Sequence, residues 1–363
     1  MGAPDELDTS RTESFADGLF AAAGQAMETF CVYLGDRLDL YRTFARLGSL
    51  SSAVLAAEAG IDPRYAREWC EQQVVARVLE VDDAAASPDD RRFTLPAEHA
   101  AVLVDPDSPF SVAPMSRFVA SIGATLPQLM EAFRTGGGLS WSALGSDAIE
   151  SQGDFNRPWL RSDLTGSYLP SVPEVHDRLQ AGARVADIAC GVGWAGLTIA
   201  RDYPAARVVG LDPDEQSIAM AQGLAVDLGS EDVIEFEVHD CTEPLPHGPF
   251  DFALMVEALH DVARPVEILS RVKESLAPGG LMIVADEKTG ESFAEPGPND
   301  GIFYSFSVLS CLPAGMSEQP TAATGAVMRP DTLRSYAAQA GFSDVEVLDQ
   351  IDHPLLRFYL LRP

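Results

Sequence analysis

Hydrophobic positions recur at two different spacings along the chain, and the change between them divides it. From about Phe15 to Phe44 the apolar side chains come at helical spacing. Between Gly48 and Val78 the pattern predicts a helix, a turn and a second helix, because Ser and Asp residues suited to N-caps precede each apolar run. After Ala183 short strand-like runs alternate with helical runs up to the C-terminus. The two halves are therefore expected to fold differently.

A small β-wing is predicted directly after the helix pair. The strand-like runs Leu79–Val81 and Arg92–Leu95 flank an acidic, proline-containing tip at Asp82–Asp90. This is the layout of a winged helix-turn-helix. Proline and glycine then punctuate a helical connector. We expect a helical arm and winged-helix dimerisation domain at 1–105, the connector at 106–182, and an α/β domain with a largely parallel sheet at 183–363.

Charge opposes nucleic acid and anionic membranes as partners. The 363 residues carry 25 Lys+Arg against 55 Asp+Glu, a formal net charge of −30. Residues 31–105 hold 8 Arg, no Lys and 13 Asp+Glu, so the winged helix lacks the basic stripe that DNA binding needs. No secretory signal or membrane span is predicted, and five scattered cysteines indicate reduced thiols. We expect a cytoplasmic protein.

The first strand of the α/β half leads into a glycine-rich turn. Arg184–Ala189 is followed by Cys190-Gly191-Val192-Gly193-Trp194 and then by a helical run. Glycines let the backbone approach a ligand closely. Asp212 ends the second strand, where a carboxylate can accept both hydrogen bonds of a ribose diol, and Asp240 follows the third strand. The strand ends converge on one crevice that suits a nucleoside-type ligand.

These motifs, with Leu276–Gly280 as the turn before strand five, resemble class I S-adenosylmethionine-dependent methyltransferases over about Ala183–Pro363. The resemblance implies a Rossmann-like seven-stranded sheet and S-adenosyl-L-methionine as cofactor. Ala189 departs from the first glycine of many members. The cofactor-binding residues that we expect are Asp187, Gly191, Gly193, Asp212, Pro213, Asp240, Cys241 and Glu257.

The N-terminal half points to one subgroup of these methyltransferases. A winged-helix domain before this sheet is similar to small-molecule O-methyltransferases of plants and of bacterial secondary metabolism. The stretches Tyr65–Trp69, Leu95–Ala100 and Ala323–Leu333 are similar to actinobacterial members. The resemblance implies a homodimer formed through the N-terminal domain and a small-molecule acceptor of the secondary-metabolite type.

His260 is the candidate catalytic base. It follows strand four at the carboxyl edge of the sheet, where an imidazole near its ordinary pKa of ~6.5 could take a proton from an acceptor hydroxyl. In the resembled O-methyltransferases a His-Asp pair supplies this base, and His260-Asp261 matches the pair in place. Asp286 and Glu287 end strand five and could orient the imidazole, with Asp286 the first choice. The alternative is that His260 packs or caps a helix terminus.

The acceptor pocket is expected to be apolar. Segment 154–159 looks like the part that folds over the donor in related enzymes, and the insertion after strand five carries further apolar side chains. Core packing is the alternative for the same residues. The candidate pocket residues are Phe155, Trp159, Tyr304, Phe306, Leu309 and Met316.

No metal site is expected. His239, Asp240 and Cys241 are consecutive residues at a strand end and point in different directions, so they are poorly placed to share one ion.

The sequence thus predicts a small-molecule methyltransferase that uses S-adenosylmethionine, with O-methylation by a histidine base as the first interpretation. N- or C-methylation and non-methylating chemistry on the same fold stay open. So do a cofactor-sensing winged-helix regulator, which the acidity opposes, and a catalytically silent scaffold.

Overall fold

The computed structural model describes residues 7–363, which form two compact units divided between Ala120 and Ser121. Helix α6, Pro114–Thr135, runs across this division. Within the described range, no helix combines the length and the apolar character needed to cross a bilayer.

The first unit is mainly helical and carries a two-stranded wing. The helix N-caps are those that the sequence predicts. The Ser51 side chain accepts from the Val54 N–H. The side chain of Asp62, the residue before Pro63, accepts from the Arg64 N–H. The predicted second helix ends at Val75 rather than Val78, since Arg77 has a positive φ of 62°. The elements are α1 (Thr9–Arg37), α2 (Leu40–Leu47), α3 (Ser52–Ala59), α4 (Pro63–Val75), β1 (Glu80–Val81), β2 (Phe93–Thr94) and α5 (Ala97–Leu103).

An aromatic cluster and one buried ion pair hold this unit together. Tyr41 packs against Trp69 with ring centroids 5.3 Å apart, and the Tyr41 hydroxyl donates to Gln73 Oε1 at 2.5 Å. Arg117 Nε donates to Asp36 Oδ2 at 2.5 Å, and both side chains are more than nine-tenths buried.

The second unit is built on one seven-stranded sheet with helices on both faces. After α6 come α7 (Ser146–Trp159), a π-helical segment (Leu160–Tyr168), α8 (Pro173–Gln180), β3 (Arg184–Ile188), α9 (Trp194–Asp202), β4 (Arg207–Asp212), α10 (Glu215–Asp227), β5 (Ile234–Val238) and β6 (Phe250–Val256). The chain continues through α11 (Pro265–Ser275), β7 (Leu276–Glu287), α12 (Asp300–Phe306), a second π-helical segment (Ser307–Cys311), α13 (Leu312–Gly315), α14 (Pro330–Gln339), β8 (Asp344–Val347) and β9 (Leu356–Arg362).

The order of the strands places the candidate site. It is β5-β4-β3-β6-β7-β9-β8; the first five strands are parallel and β9 pairs antiparallel with both β7 and β8. The chain leaves β3 toward β4 on one side and later adds β6 on the other, which opens a crevice at the carboxyl ends of β3 and β6. The expected α/β fold with a seven-stranded sheet and an N-terminal winged helix is confirmed.

Replacing Asp36 by Ala should lower the free energy of unfolding of the first unit by about 3–5 kcal/mol, because the buried Arg117 charge loses its partner. Denaturant unfolding of the full chain measures the change. The matched control is Glu58→Ala within helix α3, which breaks the exposed Arg46–Glu58 pair and should cost less than about 1 kcal/mol. Equal effects from the two variants would contradict the assignment.

Candidate functional site

The turn after β3 has a left-handed backbone, and one of its glycines packs tightly against Phe236 of β5. Gly191 and Gly193 have φ values of +54° and +83°. A Cβ on Gly193 would lie 2.3 Å from Phe236 Cζ, so only glycine fits there. Ala189 also has a positive φ, of 52°. Ala189 thus adopts a left-handed conformation that costs an L-residue about 1–2 kcal/mol.

Two buried carboxylates fasten this turn to the sheet. Asp212 Oδ2 accepts from the Gly191 N–H at 2.9 Å and Oδ1 accepts from the Asp214 N–H at 2.8 Å. Burial raises the pKa of Asp212 to about 6, although both hydrogen bonds act in the opposite direction. Asp187 accepts from the Gly196 N–H at 2.9 Å, and burial raises the pKa of Asp187 to about 7.

Asp240 and Cys241 follow β5 at the same edge of the sheet. Asp240 Oδ1 accepts from both the N–H and the hydroxyl of Thr242, at 2.9 and 2.7 Å. The Asp240 side chain is 54% exposed, whereas Cys241 is buried. Pro213, directly after Asp212, is exposed.

Glu257 follows β6, and two side chains of α7 donate hydrogen bonds to its carboxylate. Its carboxylate accepts from the side-chain amides of Asn156 and, at 3.3 Å, of Gln152. Burial raises the pKa of Glu257 to about 7 against the lowering effect of the Asn156 hydrogen bond. Glu257 also has a positive φ of 48°, and strained backbone of this kind concentrates at functional sites. The sequence pattern missed Gln152 and Asn156 as site residues, although Asn156 lies in the segment expected to cover the donor.

His260 lies at the centre of a cluster of carboxylates. The residue is 2% exposed. Its Nδ1 lies 2.8 Å from Asp286 Oδ1 and 2.8 Å from Glu287 Oε2, while Nε2 lies 3.0 Å from Asp261 Oδ1. The bond to the ionised Asp286 places a hydrogen on Nδ1. The structure thus brings the three predicted catalytic residues together and adds Asp261.

The electrostatics of this cluster differ from the expectation. Burial alone would lower the pKa of His260, but the carboxylates of Asp261, Asp286 and Glu287 raise it well above its ordinary value. The expectation of an imidazole near its ordinary pKa was therefore wrong. Burial raises the pKa of Glu287, whereas the His260 cation holds the pKa of Asp286 below its usual range against the effect of burial.

Part of the insertion after β7 packs directly on the His260 loop. The Gly325 N–H donates to the His260 carbonyl at 3.1 Å. A Cβ on Gly315 would lie 3.3 Å from the Asp261 carbonyl oxygen, so the end of α13 touches this loop. Met316 directly follows that contact, and Leu309 lies on the π-helical segment before it; both are partly buried, as are Phe155 and Phe306.

Two of the predicted pocket residues are engaged elsewhere. Trp159 donates from Nε1 to Asn156 Oδ1 at 2.8 Å, and its ring packs against His353 with centroids 4.9 Å apart. Tyr304 is 39% exposed and its ring contacts the exposed Phe293. Core packing therefore accounts for Trp159, and Tyr304 lies at the surface.

Comparison with protein-family models identifies the domain that carries this site. Residues 179–341 match the model of a methyltransferase domain, and residues 26–105 match the model of an Rv2258c-like winged HTH domain. Residues 179–341 are a methyltransferase domain. The match covers the glycine turn, Asp212, Glu257 and His260, and it confirms the expected S-adenosylmethionine-dependent class.

Curated and solved proteins are similar to the methyltransferase domain and to the fold. The ubiquinone biosynthesis O-methyltransferase of Dinoroseobacter shibae is 32% identical over 177 residues, which cover 48% of this chain and 65% of that protein, less than two thirds of its length. The fold is similar to human N-acetylserotonin methyltransferase in complex with SAM (18% identity, TM-score 0.67, 100% and 99% of the two chains). It is also similar to PigF with SAH (18% identity, TM-score 0.69, 96% and 99%).

S-adenosylmethionine fits the edge of the methyltransferase domain. The glycine turn is open at Gly191, where a Cβ would meet nothing within 4 Å, and Asp212, whose carboxylate accepts from the Gly191 N–H, suits a ribose diol. Glu257 adds a carboxylate on the far side of β3, in keeping with a ligand that carries cationic groups.

Asp212→Asn should weaken binding of S-adenosylhomocysteine by about 10–100-fold at neutral pH, because a charge-assisted hydrogen bond contributes about 1.5–3 kcal/mol. Since the pKa of Asp212 is about 6, the affinity of the unsubstituted protein should fall as the pH drops from about 7.5 to about 5, and this dependence should be shallower in the variant. Isothermal titration measures both, with the exposed Asp344→Asn as control. An unchanged pH slope in Asp212→Asn would count against the assignment.

Proposed function

We propose that the protein transfers a methyl group from S-adenosylmethionine to a hydroxyl of a small molecule, with His260 as the base. One observation carries the proposal: the buried His260–Asp286 hydrogen bond lies at the carboxyl ends of β6 and β7, at the sheet edge that also holds the glycine turn. The similar O-methyltransferase of Dinoroseobacter shibae supports oxygen as the acceptor atom.

Bound S-adenosylmethionine supplies an electrophilic methyl group on its sulfonium. His260 would take the acceptor's proton at Nε2 as the acceptor oxygen is methylated. Because the neighbouring carboxylates raise the pKa of His260, only its neutral form, which gains population as the pH rises, can act as this base. Asp286 holds the ring through Nδ1 and stabilises the imidazolium that results. Glu287 adds a second carboxylate against the same nitrogen. The protein's remaining contribution is to position the two reactants.

We propose the following residues for binding the cofactor: Asp187, Gly191, Gly193, Asp212, Pro213, Asp240, Cys241 and Glu257. For the acceptor, Leu309 and Met316 lie on segments that pack at the His260 loop, and Phe155 and Phe306 add partly buried aromatic surface. Such a lining suits a hydrophobic, aromatic or polyketide-like molecule of secondary metabolism.

A homodimer through the N-terminal helix is part of the proposal. Apolar side chains of α1 are exposed over several turns of the helix. Their exposure to water is unfavourable, and such a patch is typical of a protein–protein interface. These are Leu19 (63%), Phe20 (84%), Met27 (66%) and Leu34 (46%). A second copy that covers this face would bury them.

Incubating the protein with methyl-labelled S-adenosylmethionine and an extract of its source cells tests the function. We expect label in a small molecule together with S-adenosylhomocysteine, both followed by mass spectrometry. Label on nitrogen or carbon would replace O-methylation by the alternative acceptors, and the absence of both species in several extracts would favour a sensor or scaffold.

His260→Ala should lower turnover by ~10²-fold or more and leave the affinity for S-adenosylhomocysteine within about twofold, because the base is lost while the glycine turn and Asp212 are unchanged. Since the variant leaves Asp286 and Glu287 without their cation, circular dichroism shows whether it is folded. Initial rates with the identified acceptor measure the change. The control is His247→Ala, which removes a partly exposed imidazole paired with Glu237. Unchanged turnover in His260→Ala would remove it as the base.

A further inference from the structure

A nitrogen, an oxygen and a sulfur donor atom lie close together on the Nε2 side of His260. His260 Nε2, Asp261 Oδ1 and Cys311 Sγ all lie within 4.8 Å of one another. Ligands of one zinc ion, at bond lengths of about 2.0–2.3 Å, fall in this range of mutual separation. His260 and Asp261 are neighbours in a turn rather than a strand, so their side chains can face the same point. Cys311 reaches them from the end of the π-helical segment Ser307–Cys311.

The other ring nitrogen of His260 is held as in metal-bound histidines. Nδ1 bonds Asp286 Oδ1 at 2.8 Å, which keeps a hydrogen on Nδ1, so Nε2 is the nitrogen that can bind an ion in exchange for its own proton. A carboxylate behind the histidine is the usual partner of a zinc-binding imidazole, since it fixes the tautomer and strengthens the donor nitrogen.

On the Nε2 side of His260, one buried oxygen accepts no hydrogen bond within the described part of the chain: Asp261 Oδ1. Asp286 Oδ2 and Glu287 Oε2 accept none either, but these two carboxylates lie against Nδ1, on the other side of the ring. Asp261 Oδ1 lies 3.0 Å from Nε2 yet accepts no hydrogen bond from it. Unsatisfied buried carboxylates are costly, and a cation removes that cost.

We propose that His260 Nε2, Asp261 Oδ1 and Cys311 Sγ bind one divalent cation of the zinc type, with a fourth position open. A thiolate and an imidazole favour zinc or cobalt over magnesium or calcium, which prefer oxygen ligands. The side chain of Asp261 is 24% exposed, which gives the ion a path from solvent and leaves room for a water ligand. The sequence predicted no metal because the third ligand lies fifty residues from the first two.

The ion and the acceptor's proton require the same lone pair. Zinc on Nε2 therefore blocks proton transfer and inhibits the enzyme, a consequence that rests on the proposed function. Binding of the ion itself does not depend on turnover, so it can be tested even if no methyl transfer is found.

The test is a titration of the chelator-treated full-length protein with Co²⁺ and then Zn²⁺. We expect one equivalent of Co²⁺ to produce a thiolate-to-cobalt charge-transfer band that Zn²⁺ abolishes and that excess Mg²⁺ leaves unchanged. Cys311→Ser should lose the band. Asp286→Asn should keep it but weaken Zn²⁺ binding by about 10–100-fold, because only the support of the imidazole is lost.

Cys31→Ser, in α1 of the other unit, is the matched control and should keep both the band and the affinity. Circular dichroism and S-adenosylhomocysteine binding show whether each variant is folded. If Cys311→Ser proves unfolded, Asp261→Asn takes its place and should weaken Zn²⁺ binding at least ~10-fold. A band that survives in folded Cys311→Ser, equal Zn²⁺ affinity in Asp261→Asn, or no stoichiometric Co²⁺ binding would each overturn the proposal.

Discussion

The order of the parallel strands is the constraint on which the site depends. The chain extends the sheet from β3 in one direction through β4 and β5 and in the other through β6 and β7. Parallel strands end at one edge, so residues that are up to a hundred positions apart in sequence are placed side by side. The glycine turn after β3, Asp212 after β4, Glu257 after β6 and Asp286 at the end of β7 share that edge for this reason.

Negative charge dominates the edge and shapes its chemistry. Asp187, Asp212 and Glu257 all have raised pKa values because each is buried with little compensating charge. Protonated His260 partly neutralises this negative charge, and its carboxylate neighbours raise its pKa. An edge of this kind favours ligands that bring positive charge, such as a sulfonium, an ammonium group or a metal ion. The same excess of negative charge therefore favours the methyl donor, a proton on His260 and the proposed metal ion.

Residues that lie next to each other in sequence or at the end of a strand were predictable. The alternation of strand-like and helical runs indicated the parallel sheet, and the glycine turn and Asp212 were placed by the strands that they follow. The N-caps Ser51 and Asp62 likewise indicated the helix pair of the winged helix, with an error of only three residues at the end of α4. Trp159 and Tyr304 were less predictable, because apolar residues in a segment next to a site serve equally well in packing or at the surface.

The sequence by itself determined the fold class, the glycine turn, the acids at the strand ends and the place of His260 after β6, since each depends on local spacing and strand order. Only the tertiary structure decided what surrounds them. It set Gln152 and Asn156 on Glu257 and brought Cys311 to His260. It also gathered three carboxylates around one imidazole. These contacts join elements that are far apart in the chain, and helix packing against the sheet, which leaves no periodic trace in the sequence, decides them.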